Sequence, residues 1–65
     1  TEYPAAIPDY DEVIKLDPEL AEAYYNRGLC HLSVQETEKG LDDLRRAGEL
    51  GIVDAYSIIK RMTSK

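Results

Sequence analysis

Residues 6–16 read AIPDYDEVIKL and residues 40–50 read GLDDLRRAGEL, and the two stretches match when the chain is shifted by 34 residues. The shift aligns Ala6 with Gly40, Ile7 with Leu41, Asp9 with Asp43 and Tyr10 with Leu44. It also aligns Val13 with Ala47 and Leu16 with Leu50. A small residue, a large apolar one four places on and another apolar one three beyond that fall on one stripe of a helix. A helical pattern recurring at this period marks a repeat whose units bury their faces against neighbours.

Working outward, four helices are predicted. The first covers roughly residues 5–16, with Ile7, Tyr10 and Ile14 along one stripe and Ala6, Val13 and Leu16 beside it. Pro8 removes a backbone bond, so regular helix is expected only from about that residue, after a looser turn holding Pro4. Asp17-Pro18 ends the first helix and starts the second, with Asp17 as N-cap and Pro18 in the first helical position. The second helix is placed over 19–32, with Glu19 and Glu22 at its positive end, and Ser33-Val34-Gln35 forms a turn. A third helix over 36–50 stops at Gly51, where Ile52 is placed to make the apolar contact that follows such a stop. Asp54 caps a last helix to about Met62, with Tyr56, Ile59 and Met62 on one face. Period-two alternation is missing over any useful length, so the fold class is all-α.

Between the two matching stretches lies Ala23-Tyr24-Tyr25-Asn26-Arg27-Gly28. Together with the 34-residue period, this segment resembles the tetratricopeptide repeat (TPR). Tyr24 stands where the TPR pattern has Trp, Gly28 falls on its Gly, His31 on an aromatic place, and Pro18 on the Pro closing the preceding repeat. The resemblance implies antiparallel helix hairpins of an α-solenoid. Residues 1–18 would be the second half of one repeat, 19–52 a complete repeat and 53–65 a capping helix. Arg27 replaces an expected Leu, Gly40 an Ala and Ile52 the closing Pro. Ala55-Tyr56 echoes Ala23-Tyr24 after 32 residues, which puts Lys60 at the place of Gly28. A long side chain there keeps a following helix at a distance, which suits a cap. Gly28 and Gly40 face each other across the hairpin, where a missing Cβ lets two backbones approach. Each costs about 1 kcal/mol against Ala within a helix, which the packing must offset.

Composition narrows the function classes. The 65 residues carry a net charge of −5, with seven acids against one base in residues 1–26 and six acids against seven bases in 27–65. An acidic chain without a basic stripe suits neither nucleic acid nor an anionic membrane surface. Nor does it contain an apolar run of the roughly 20 residues that span a bilayer. Cys30 is the one cysteine and His31 the one histidine, too few for a four-ligand zinc site. A lone cysteine fits a reducing compartment, so a cytoplasmic location is favoured. Adjacent residues on a helix point about 100° apart, so Cys30 and His31 do not form a nucleophile–base pair. Cys30 is read as a buried filler and His31 as a packed aromatic substitute. Asp9, Asp11, Glu12, Glu36, Glu38, Asp42 and Asp43 are read as solvated, with Arg45 and Arg46 pairing with Asp42 or Asp43. Neither an enzyme nor a cofactor is expected.

The TPR resemblance implies a partner protein or peptide, held in a groove lined by the first helices of successive repeats. Here those helices carry Glu22, Tyr25, Asn26, Leu29, Leu32 and Ser33, then Ser57, Lys60 and Arg61. In TPR domains that grip the C-terminal carboxylate of heat-shock chaperones, an Asn matching Asn26 binds that group beside Lys and Arg. The preceding first helix, which should bring a further Lys and Asn, is absent, and this weakens that version of the reading. The alternative is a purely structural segment that packs against further repeats or a second copy. The first helix lacks its partner helix, so a homodimer is expected through Ile7, Tyr10 and Ile14, most simply about a two-fold axis.

Overall fold

Four helices follow one another as antiparallel neighbours: α1 (Tyr3–Leu16), α2 (Ala21–Ser33), α3 (Thr37–Glu49) and α4 (Asp54–Thr63). The structure, a computed structural model, describes the backbone of residues 3–64 and the side chains of residues 9–64. Each helix packs on the next in sequence, and α2 against α3 is the most extensive contact. This all-α hairpin array is the architecture expected from the repeat. Leu44 and Ala47 on α3 and Ala55 on α4 form its buried centre, and Tyr24, Tyr25, Leu29, Leu32, Ile52, Ile58 and Ile59 pack around them.

The glycines of the central hairpin do what their positions imply. A Cβ on Gly28 would lie 3.0 Å from the Gly40 carbonyl oxygen and 3.0 Å from Leu44 Cγ. One on Gly40 would lie 2.8 Å from Leu32 and 2.9 Å from the Gly28 oxygen. The two backbones touch, and neither can retreat without moving a helix.

α2 and α3 end in the same way. Beyond α3, Gly51 takes φ +122°, its N–H donates to Gly48 O, and the Ile52 N–H donates to Ala47 O at 2.9 Å. Ile52 then packs on the core, as its place after a helix stop predicts. Beyond α2 the left-handed residue is Gln35, at φ +67°, with Gln35 N–H donating to Leu32 O and Glu36 N–H to His31 O. A side chain in this conformation costs about 1 kcal/mol that glycine does not. Gln35→Gly is therefore expected to stabilise the chain by about 0.5–1 kcal/mol, seen as a higher thermal midpoint. An unchanged or lower midpoint would contradict the account of this turn.

Several boundaries differ from the sequence reading. α1 is helical from Tyr3 and carries Pro8 within it. The cost is the single backbone bond from residue 8 to the carbonyl of residue 4. α2 starts at Ala21 rather than Glu19, and Leu20, not Asp17, holds the N-cap position. Asp17 instead accepts the Glu19 N–H at 3.3 Å and, through its carbonyl, the Leu20 N–H at 3.2 Å, which makes Pro18-Glu19 a turn. Tyr24 Oη donates to the Pro18 carbonyl at 2.9 Å and ties that turn to α2. Asp54 is the first residue of α4 and makes no side-chain cap. The face that α4 buries holds Ala55, Ile58 and Ile59, while Tyr56 and Met62 are about half exposed. The cause is Gly48: the Tyr56 ring lies over it, close enough that a Cβ there would meet the ring at 2.6 Å. Tyr56 thus rests on the flank of α3 instead of entering the core.

Candidate protein-interaction surface

α2 and α4 both pack on α3, and their inner residues share its apolar centre. Tyr25, Leu29 and Leu32 from α2 and Ile58 and Ile59 from α4 are half-buried, and all five pack around Leu44, Ala47 and Ala55. Among them, Ile58 is a residue that the sequence reading left out. Asn26 is also half-buried, whereas Glu22, Ser33, Ser57, Lys60 and Arg61 are exposed. Ser33 Oγ donates to the Cys30 carbonyl at 2.8 Å, so its hydroxyl is engaged within its own helix. Leu32 leans on Gly40 and serves the hairpin as well as the shared apolar surface. Lys60 and Arg61 make no ion pair among the described residues. On α4, Ser57 and Arg61 are four residues apart and share one side, while Lys60 shares another with Tyr56.

The self-association residues are placed less uniformly. Tyr10 and Ile14 are half-buried, and the side chain of Ile7 lies outside the described residues. The more open residues of α1 are Val13, 37% exposed, and Leu16, 78% exposed.

Away from the α2–α4 side, a polar cluster joins three helices, and the sequence reading missed it. Arg27 Nε donates to Asp43 Oδ2 and its Nη2 to Asp43 Oδ1, both at 2.8 Å. Its Nη1 donates to Asp11 Oδ1 at 2.6 Å. Asp43 is only 7% exposed, so it is not a solvated acid and does not pair with Arg45 or Arg46. Arg45 pairs with Asp42 at 2.9 Å and Arg46 with Glu49 at 3.4 Å. The forked bond to Asp43 raises the Arg27 pKa against the opposing effect of burial, with Asp11 adding to the rise. Its charge is permanent. His31 is buried as expected, but in polar company: Nδ1 lies 2.6 Å from Glu36 Oε1 and Nε2 3.6 Å from Asp43 Oδ2. Beside this cluster lies an open depression of about 340 Å³, lined by Asp11, Arg27, His31, Lys39, Asp42 and Asp43. The signal for the cluster was present as a departure, Arg27 where the repeat pattern wants an apolar residue, with an Asp 16 residues away on each side.

Cys30 is fully buried, and burial pushes its thiol pKa up, away from nucleophilic use. The described residues contain no cluster of His, Cys, Asp and Glu able to hold a metal ion. Among the described residues, no helix is long and apolar enough to cross a membrane.

The helix-hairpin geometry, the glycine contact and the 34-residue period agree with a family match: residues 2–34, half of the chain, match the TPR repeat. The chain belongs to the TPR repeat family. It is also similar to Stress-induced-phosphoprotein 1 of Caenorhabditis elegans, with 43% identity over 42 residues. That similarity covers 65% of this chain but only 13% of the relative's length. No solved structure matches significantly. TPR repeats generally mediate protein–protein interaction and are generally not enzymes.

Proposed function

We propose that this TPR segment binds an extended or helical segment of another protein along the side shared by α2 and α4. The supporting observation is the run of half-buried Tyr25, Leu29, Ile58 and Ile59 over one core, with the exposed charge of Arg61 beside it. Such a surface offers apolar contact at its floor and a cation at its rim. Aromatic and apolar anchors carry affinity, and rim charges set orientation and association rate. An acidic side chain or a terminal carboxylate on the partner suits Arg61, with Asn26 and Ser57 as neighbouring polar groups. Glu22 and Ser33 mark the outer edge of α2, and Lys60 lies further round α4.

A structural reading has an observation in its favour as well: Tyr25, Leu29 and Leu32 already pack on the chain's own core. The two readings part on contact. A photo-crosslinker at Ser57 or Glu22 should capture a partner that one at Asp42 on α3 does not. Arg61→Glu should weaken that capture about tenfold at an unchanged thermal midpoint, since Arg61 is exposed. Capture from Asp42 alone would refute the α2–α4 assignment, and capture from none of these positions would favour the structural reading.

A further inference from the structure

Connections of three residues between α2 and α3 and of four between α3 and α4 turn each helix back along the one before it. α2 and α4 therefore point the same way, with their N-terminal ends together. At those ends stand Glu22, in the first turn of α2, and Asp54, the first residue of α4. Arg61 stands in the last turn of α4, seven residues from Asp54 and about 10 Å further along the axis. Asp54 and Arg61 lie four residues before and three after Ile58, which packs on the core. Both thus border the side of α4 that meets the rest of the chain. Glu22 borders Tyr25 on α2 in the same way.

These three charged side chains are exposed and make no ion pair among the described residues. Nor does Asp54 cap its own helix. The arginines and lysine of α2 and α3 are committed by contrast: Arg27 to Asp43 and Asp11, Lys39 to Glu36, Arg45 to Asp42 and Arg46 to Glu49. The side shared by α2 and α4 is thus acidic at one end and cationic at the other, with Tyr25 and Ile58 between.

Resting on the α2–α4 reading above, we propose that the partner segment is an amphipathic helix lying antiparallel to α2 and α4. Helices favour acids in the first turn and bases in the last, because these offset the macrodipole. An antiparallel helix brings its first-turn acid to Arg61 and its last-turn base to Glu22 and Asp54. A parallel one sets acid against Glu22 and Asp54 and base against Arg61, and like charges across an interface are penalised. An extended segment carries no macrodipole and hence no fixed order of charge along its axis. The partner helix presents an apolar stripe to Tyr25, Leu29 and Ile58, an acid near its start and a base about two turns later.

Two synthetic peptides of about 15 residues test this, a length at which a helix can hold in water. Both carry the same leucine stripe. One has Glu in its first turn and Lys two turns on, and the other has the two exchanged. Fluorescence anisotropy should show the first binding the 65-residue chain about tenfold tighter than the second, with added salt shrinking the difference. The triple variant Glu22→Gln, Asp54→Asn, Arg61→Gln should bring the two peptides to within about threefold of each other. All three side chains are exposed, so its helical content by circular dichroism should match the parent's. Equal binding of the two peptides to the parent, or preference for the second, overturns the proposal and leaves the α2–α4 reading in place. A preference that the triple variant keeps does the same, because it then belongs to the peptides. Binding of neither at millimolar concentration also overturns it. The α2–α4 reading fails separately, when a crosslinker at Asp42 captures the preferred peptide and those at Ser57 and Glu22 do not.

Discussion

Arg27→Ala is expected to cost about 3 kcal/mol, the largest effect of any single substitution at a polar side chain in this molecule. Removing one partner of a buried ion pair leaves the other charge without compensation, at a cost of about 3–5 kcal/mol. The lower end applies because the Arg27 side chain keeps 21% exposure and His31 Nε2 remains 3.6 Å from Asp43. A single core of this size rarely supplies more than about 3–5 kcal/mol, so the variant should be largely unfolded near room temperature. Asp42→Ala, one residue from Asp43 but exposed, should stay within about 0.5 kcal/mol of the parent. The double variant Arg27→Ala with Asp43→Ala should lose less than the sum of the single losses, because the two side chains share one contact. Thermal melts of the parent, the three single variants and the double variant decide the matter. Equal midpoints for Arg27→Ala and Asp42→Ala would show that the three-helix cluster contributes nothing.

Gly28→Leu is the second large effect, and it acts through volume rather than charge. Already the first atom of the new side chain would sit 3.0 Å from the Gly40 carbonyl oxygen and from Leu44 Cγ. Asp43 Cβ lies 3.2 Å away, so widening the gap on that side would also disturb the Arg27 fork. Overpacking costs about 1–3 kcal/mol, and the upper end is expected because one neighbour is backbone and cannot rotate aside. Gly28→Ala should cost less but stay destabilising, despite the better helix propensity of alanine. A midpoint for Gly28→Ala at or above that of the parent would mean that α2 and α3 can separate at no cost. In that case the glycines would owe their place to something other than close approach.

The polar cluster and the glycine contact explain each other. Two helices whose backbones touch leave little room for side chains at the crossing. Arg27 and Asp43 lie at its margin, where a planar guanidinium fits a carboxylate edge to edge. α1 joins through Asp11, and one Arg thereby fixes three helices at once. The charge of that bond is permanent. The surface proposed for a partner lies with α2 and α4, away from it.

Much of this fold is legible in the sequence. The 34-residue echo of AIPDYDEVIKL in GLDDLRRAGEL contains the helix period, the buried positions Leu44 and Ala47 and the antiparallel order. Gly28 and Gly40 announce a close approach because a missing Cβ has few other uses inside a helix. Gly51 and Ile52 announce the end of α3 because only glycine takes φ +122° without strain. Each of these signals lies within one helix or one turn, where residue type and spacing determine geometry directly. The tertiary structure decided the rest. Asp42 and Asp43 are neighbours of one type, and a rotation of about 100° along α3 leaves one in water and buries the other against Arg27. Gln35 carries no mark of a left-handed residue, yet α3 must turn back onto α2 there, and it takes φ +67°. Tyr56 reads as core by its spacing, but it is left half exposed because Gly48 gives its ring a seat on the outside of α3. In each case the outcome depended on where a second helix lies. Periodicity along one helix does not contain that distance.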